Sequence, residues 1–318
     1  MSVPAVFNNL RLPVIASPMF IISVPQLVIA QCQAGIVGSM PALNARPASQ
    51  LDEWLHEIRE ALAAWDQAHP DQPAAPFAIN QIVHKSNDRL MSDMELCVKH
   101  RVPIIITSLG AVPEINAAAH SYGGVVMHDV INNHFAHKAI EKGADGLIAV
   151  AAGAGGHAGV KSPFALVQEI RQWFDGPLAL AGSIATGSSV LAAQVMGADF
   201  AYMGSPFIAT TEARATDAYK QCIVDSNSDD IVYSNLFTGV HGNYLAPSIR
   251  NAGLDPQALP AGDVKQMDFA ALATGAKAWK DIWGSGQGIG AINQVQPVAQ
   301  YVAQLQKEYQ AAKQRVCR

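Results

Sequence analysis

Short apolar runs recur along this chain at intervals of roughly 20 to 40 residues, the spacing of strands alternating with helices. That recurrence limits the possible folds more than any other feature. The runs are Pro13–Ser17, Ile36–Ser39, Phe77–Asn80, Ile104–Ser108, Val125–Asp129, Gly146–Val150, Pro177–Ala181 and Phe200–Met203. Nearly all lack apolar/polar alternation, as parallel strands covered on both faces do. Amphipathic stretches such as Leu51–Trp65, Asp88–His100 and Ser188–Met196 lie between them. Two junctions nearly repeat: Lys142-Gly143-Ala144-Asp145-Gly146 and Met196-Gly197-Ala198-Asp199-Phe200. In each, a Gly ends a helix in a left-handed cap and the chain enters a strand. Eight such units over about 200 residues predict an α/β fold of the (β/α)8, or TIM, barrel type. A doubly wound open sheet is the alternative, but its Gly-rich fingerprint after the first strand is absent.

After a last barrel helix near Thr211–Val224 the pattern changes. The reading is a barrel over residues 1–225, completed by a C-terminal helical segment, 285–318. An inserted helical lid or substrate subdomain, 226–284, rich in Asn, Gly and Pro, lies between them. Charged residues are 15% of the chain, against about 25% in a typical soluble domain. With 50% hydrophobic residues, this implies a large core and argues against disorder. The net charge of −5 argues against an electrostatic nucleic-acid binder. The four cysteines show no C-x-x-C spacing, and Cys32 and Cys97 read as core thiols in a reducing compartment. Leu12–Ala30 is apolar enough to suggest a membrane span. Pro13, Pro18 and Pro25 interrupt it, so a strand, a loop and a buried helix account for it better. Met1–Leu12 carries no signal-peptide pattern. The expectation is a soluble cytoplasmic protein with no nucleic-acid or membrane partner.

Barrels of this kind place their sites at the C-terminal ends of the strands. There, Gly182-Ser183 after the seventh strand and Gly204-Ser205 after the eighth suit a phosphate, because Gly lets backbone N–H groups approach closely. Ser183 and Ser205 add hydroxyl donors. After the sixth strand, Gly153-Ala154-Gly155-Gly156-His157-Ala158-Gly159 surrounds one His with four Gly. The glycines allow backbone to lie against a flat ligand or to turn sharply. His157 then reaches the barrel mouth, where a proton can be exchanged near neutral pH. A structural His bonded to a backbone carbonyl is the plainer alternative. His128 ends the fifth strand and can line the same cavity. No His-x-x-x-His or His-x-x-Glu pattern points to a metal.

At these residues the sequence resembles the nitronate monooxygenase family, FMN-dependent (β/α)8 barrels formerly called 2-nitropropane dioxygenases. The flavin-dependent enoyl-ACP reductases are related to that family. The resemblance runs from Leu12-Pro13-Val14-Ile15 to Trp283-Gly284-Ser285-Gly286-Gln287-Gly288. The family pattern after the sixth strand, Glu-Ala-Gly-Gly-His-x-Gly, is matched except that Gly153 replaces the acidic residue. Val150 stands where many relatives have a flavin-contacting Gln, and His128-Asp129 where some have His-Lys. The resemblance implies His157 as catalytic base, Met19 as a residue whose backbone meets the flavin, and Asn80 as a flavin hydrogen-bonding partner. Gly182, Ser183, Met203, Gly204 and Ser205 become the FMN phosphate loops. Gly155, Gly156 and His128 join the cofactor contacts, and Gln287 closes over the cofactor.

The expected activity is therefore oxidation of alkyl nitronates by O2 to a carbonyl compound and nitrite, with FMN as cofactor. The partners are a small molecule and O2. The alternative on the same scaffold is an NAD(P)H-dependent reductase of quinones or enoyl thioesters. A non-catalytic phosphate-ligand sensor is a third. Pocket size is expected to depend on the lid aromatics Tyr233, Phe237, Tyr244 and Trp283.

Overall fold

The computed structural model describes residues 3–261 and 281–316. Eight strands form one parallel sheet: β1 (Val14–Ala16), β2 (Gly38–Pro41), β3 (Phe77–Ile82), β4 (Ile104–Ser108), β5 (Val125–Val130), β6 (Gly146–Val150), β8 (Leu178–Ala181) and β9 (Phe200–Met203). A two-residue strand, β7 (Gly156–His157), lies outside this sheet. The order β1-β9-β8-β6-β5-β4-β3-β2 leaves β1 and β2 at the two ends. They meet through the Ile15–Val37 bridge, where the Ala16 N–H donates to the Val37 carbonyl at 2.8 Å and the Val37 N–H to Val14 at 3.1 Å. The sheet therefore closes into the expected (β/α)8 barrel.

Both faces of each strand are covered. Inside, Ile15, Val37, Ile104, Ile106, Met127, Ile148 and Phe200 pack together, joined by Phe7 from the N-terminal turn. Outside, a second core lies between the strands and the helices that follow them. This burial on two sides is why the sequence lacks alternation. Helices α1 (Pro25–Gln33), α2 (Gln50–Ala68), α3 (Leu90–Lys99), α4 (Pro113–His120), α5 (Asn133–Glu141), α6 (Pro163–Arg171) and α7 (Gly187–Val195) form the outer ring, followed by the short α8 (Ser205–Ile208) and by α9 (Asp217–Asp225). The apolar stretch 12–30 is β1, a loop and most of α1. No helix among the described residues is long and apolar enough to cross a membrane.

The two near-repeated junctions do the same work twice. Gly143 and Gly197 cap their helices at φ +94° and +112°. The Asp two residues on then accepts an N–H from the start of the preceding strand: Asp145 from Val126 at 2.7 Å, and Asp199 from Leu178 at 2.8 Å. A C-terminal helix, Val298–Val316, packs on α7. Gly187 opens α7 with no room for a Cβ against the Leu305 carbonyl, and its N–H donates to Glu308 at 2.8 Å.

The 226–284 segment, expected to be helical, is of mixed structure where it is described. Its described part holds an antiparallel pair, β10 (Ile231–Ser234) and β11 (Gly242–Leu245), and one six-residue helix, α10 (Ala246–Asn251). The strands form because β11 also pairs with β7, placing Gly242 opposite His157 and Asn243 opposite Gly156. A partner so distant in sequence leaves no local trace. Residues 262–280 of that segment, and Cys317, lie outside the described residues.

Candidate active site

The C-terminal ends of the strands surround a cavity of about 680 Å³. Met19, Asn80, His128, Gly155, Gly156, His157, Gly182, Ser183, Met203, Gly204 and Ser205 all line it. The residues singled out at the strand ends thus converge on one space. Gln287 does not join them. It is exposed, while its neighbours Gly286 and Gly288 face the cavity.

The loop after β1 is locked by one buried side chain that sequence reasoning missed. Asn44 donates to the carbonyls of Met19 (3.0 Å) and Ser23 (2.8 Å), and its Oδ1 accepts from Ile21 N–H at 2.8 Å. Ile21 sits at φ +58°, a strained conformation that these bonds hold in place. The Met19 N–H is taken by Ser23 Oγ at 3.0 Å. Both backbone polar groups of Met19 are therefore bonded within the loop.

The ends of β3, β4 and β5 carry a connected polar wall. Asn80 is buried, and its Nδ2 donates to Ser108 Oγ (2.7 Å) and to the Ile106 carbonyl (3.2 Å). Its Oδ1 is left to accept. Ser108 and the Leu109 N–H hydrogen-bond to Asp129, but burial outweighs them and raises that carboxyl to about 6. His128 Nδ1 lies 2.6 Å from Thr107 Oγ1, and burial pushes its pKa down to about 4. Tyr202 lines the same space. Burial and the nearby Asp129 charge raise its pKa, against a hydrogen bond with Ser17. Ser108, Asp129 and Tyr202 were detectable in the sequence only as strand-end or inward positions.

The strand-six loop is fixed on both sides. The Ala152 N–H donates to the Lys161 carbonyl at 2.8 Å, closing the loop on itself. A Cβ on Gly155 would lie 2.8 Å from Gly286 N and 3.1 Å from Ser205 Oγ. Asn243 donates to the Ala154 carbonyl at 2.6 Å. Gly155 is therefore a glycine because protein backbone presses on it, and Gly156 because it sits at φ +67°, even while both line the cavity. His157 Nε2 is 2.9 Å from Thr238 Oγ1. Burial alone lowers its pKa to about 4, so the ring is neutral near pH 7.

The four aromatics of the 226–284 segment, Tyr233, Phe237, Tyr244 and Trp283, do not line the cavity. Tyr244 is fully buried against Phe237, and Trp283 stacks on Tyr219 with ring centroids 4.8 Å apart. Tyr233 stacks on His241, and its hydroxyl donates to the Ala158 carbonyl at 3.0 Å.

The turn after β8 places Gly182 at φ +133° and Ser183 at φ +56°. A Cβ at Gly182 would stand 2.6 Å from the Ala152 carbonyl, so a side chain cannot occupy that cradle. Ser183 spends its N–H on Gly153 (3.2 Å), which leaves its hydroxyl for a ligand. Ser205 Oγ accepts from the Gly286 N–H at 2.8 Å and retains its own proton to donate. This donor set fits a phosphate monoester. Among the described residues, no group of three or more His, Cys, Asp or Glu side chains is placed to hold a metal ion.

A parallel barrel with small hydroxyl-bearing turns after its last two strands and a neutral His at its mouth is the frame of a phosphate-cofactor enzyme. The model of the nitronate monooxygenase family matches residues 5–308, and the chain belongs to this family of flavin-dependent oxidoreductases. It is 28% identical to a nitronate monooxygenase of Paraburkholderia phytofirmans over 353 aligned positions, covering 93% of this chain and 92% of that protein. A nitronate monooxygenase of Neurospora crassa is also 28% identical, over 65% of this chain and 59% of that protein. Among solved structures, the nitroalkane oxidase of Streptomyces ansochromogenes superposes with a TM-score of 0.81 at 22% identity, covering 98% of this chain and all of that one. FabK from Thermotoga maritima gives 0.76 at 22% identity, covering 98% and 96%. These two likenesses bear on the fold.

Proposed function

We propose that the protein holds FMN at the barrel mouth and oxidises alkyl nitronates with O2 to a carbonyl compound and nitrite. The observation that carries this reading is the position of His157. It is a neutral base lining the same cavity as the turns after β8 and β9. Ser183 and Ser205 would bind the phosphate by their hydroxyls, with Gly182 and Gly204 keeping the approach clear. Asn80 offers an acceptor, and Met19 covers the cavity beside Gly204. When bound, flavin supplies the electron acceptor and the reactivity toward O2.

His157 takes the α-proton when the substrate arrives as a neutral nitroalkane. A nitronate has already lost that proton and needs the base less. Segment 226–284 serves as the cover that keeps water from the reacting groups.

The outer cavity wall includes Leu109, Ile131 and Phe135, apolar side chains that are each partly in solvent. That wall suits a substrate with an apolar part, which the reductase reading also requires. The test is an absorption spectrum of the purified protein, release of the cofactor by heat, and aerobic turnover of propionate 3-nitronate beside anaerobic NADH and NADPH. A yellow protein that releases FMN and turns over nitronate supports the proposal. Flavin bleaching by NAD(P)H without nitronate turnover favours the reductase.

A further inference from the structure

One partner of His157 comes from the loop that joins β10 and β11, 81 residues away in sequence. Thr238 is buried in that loop. Its Oγ1 lies 2.9 Å from His157 Nε2 and 3.0 Å from the Val240 carbonyl. A carbonyl has no proton, so a bond to Val240 requires the Thr238 hydroxyl to donate. A hydroxyl has only one proton. Once it points at Val240, Oγ1 turns a lone pair toward His157, and Nε2 must carry the hydrogen. A neutral imidazole has one N–H, so the basic lone pair lies on Nδ1.

The oxygen is held from other directions as well. The Tyr244 hydroxyl approaches it at 3.5 Å, and the Val240 N–H at 3.4 Å. The loop cannot slide past His157. The Ala158 N–H donates to the His241 carbonyl at 3.2 Å, and the Tyr233 hydroxyl donates to the Ala158 carbonyl.

We propose that Thr238 is the positioning residue of the site: by donating to Val240 and accepting from Nε2–H, it fixes the His157 tautomer and makes Nδ1 the nitrogen that receives a proton. The loop between β10 and β11 would then set the acid–base state of the barrel residue that it meets. The kinetic part of this inference rests on the reading of His157 as the base. The tautomer part does not.

The test is 15N NMR of the flavin-loaded protein with labelled histidine, using His157→Asn to identify the signal. Wild type is expected to show a pyrrole-type Nε2 and a pyridine-type Nδ1. Thr238→Val keeps the shape but loses the hydroxyl, and should populate the other tautomer. Thr238→Ser should restore the original one. In turnover, Thr238→Val should lower kcat on a neutral nitroalkane on the order of 10–100-fold, by analogy with the loss of a group that orients a metal-bound histidine. Preformed nitronate should be affected much less.

An Nδ1–H tautomer in wild type overturns the proposal, as does a Thr238→Val protein with unchanged tautomer. Equal losses on nitroalkane and nitronate, not restored by Thr238→Ser, reduce Thr238 to a packing role and also overturn it. If no variant turns over nitroalkane, the reading of His157 as base fails, and the NMR result still decides the tautomer.

Discussion

Gly153 and Ser183 compete for one volume. A Cβ built on Gly153 overlaps the Ser183 hydroxyl and lies 2.9 Å from Gln287 Oε1. Gly153 also sits at φ +84°, where an L side chain is strained. The pattern that this chain resembles has an acidic residue at the Gly153 position, and here the Ser183 hydroxyl occupies the space that its side chain would enter.

That relationship is measurable. Gly153→Ala should destabilise the protein by about 1–3 kcal/mol through the positive φ and the overlap together. Ser183→Gly in the same chain should recover the overlap part but not the φ part. Ser183 itself holds φ +56°, so Ser183→Gly alone should cost little backbone energy. A double-mutant cycle by denaturant unfolding gives the coupling. Additive effects would show that the two residues do not share the space.

All eight strands were legible in the sequence because burial on both faces leaves uninterrupted apolar runs, and Ile104–Ser108, Gly146–Val150 and Phe200–Met203 match to the residue. Their ends then gave most of the cavity wall, since strand order alone carries Asn80, His128 and Gly204 to one rim. What escaped depends on long-range pairing. β11 is a strand because β7 lies beside it, and Asn44 holds the Met19 loop from 25 residues away. Neither has a local pattern. Gln287 was expected at the cofactor; in the 3-10 turn Gln287–Ala291 it is Gly286 and Gly288 that line the cavity, while the Gln287 side chain lies over Gly153.

The proposed phosphate site can be tested by charge, with an uncharged variant of the same shape as control. A Cβ on Gly204 would meet Ser17 Cβ at 3.3 Å and Met19 Sδ at 3.7 Å, so a small side chain fits with slight movement. Gly204→Asp puts a carboxylate near the bound phosphate. Two like charges about 4 Å apart repel by about 4 kcal/mol at an effective dielectric constant of about 20, or roughly 10³-fold in affinity. Gly204→Asn has the same shape without the charge and should weaken FMN far less. Fluorescence titration of apoprotein with FMN separates the two. Equal weakening by Asp and Asn would mean that no phosphate lies there.

The buried ionisable groups predict opposite pH effects on the stability of the apoprotein. His128 and His157 titrate at about 4 in the folded state, below an unfolded value of about 6.5. Unfolded chains bind these protons first as the pH falls, so the contribution present above pH 6.5 is lost on the way to pH 4. Asp129 is raised to about 6 from 3.8. Its contribution is complete below the unfolded value and is lost as the pH rises through 6. Asp129→Asn removes the titrating carboxyl while keeping one acceptor oxygen, and should therefore stabilise the protein more at pH 7 than at pH 4. His157→Asn should reduce the loss between pH 6.5 and 4. Urea midpoints at three pH values test both signs, and a pH-independent effect of Asp129→Asn would contradict the raised carboxyl.

Turnover by His157→Asn tests the proposed chemistry itself. Asn retains a polar side chain that can still meet Thr238, but it cannot act as a base near neutral pH. FMN should still bind, because the phosphate contacts assigned to Ser183 and Ser205 are untouched. Oxidation of a neutral nitroalkane should fall by roughly 10²–10⁴-fold, the usual worth of a positioned general base. Preformed nitronate, which has no α-proton to lose, should suffer much less. In wild type, the nitroalkane rate should stay flat from pH 8 to pH 6 and fall only as the pH approaches about 4, where His157 becomes protonated. The ratio of the two losses carries the information, because damage to flavin binding lowers both rates together. Equal losses with flavin still bound would mean that His157 holds the anion in place, and unchanged rates on both substrates would leave it a structural partner of Thr238.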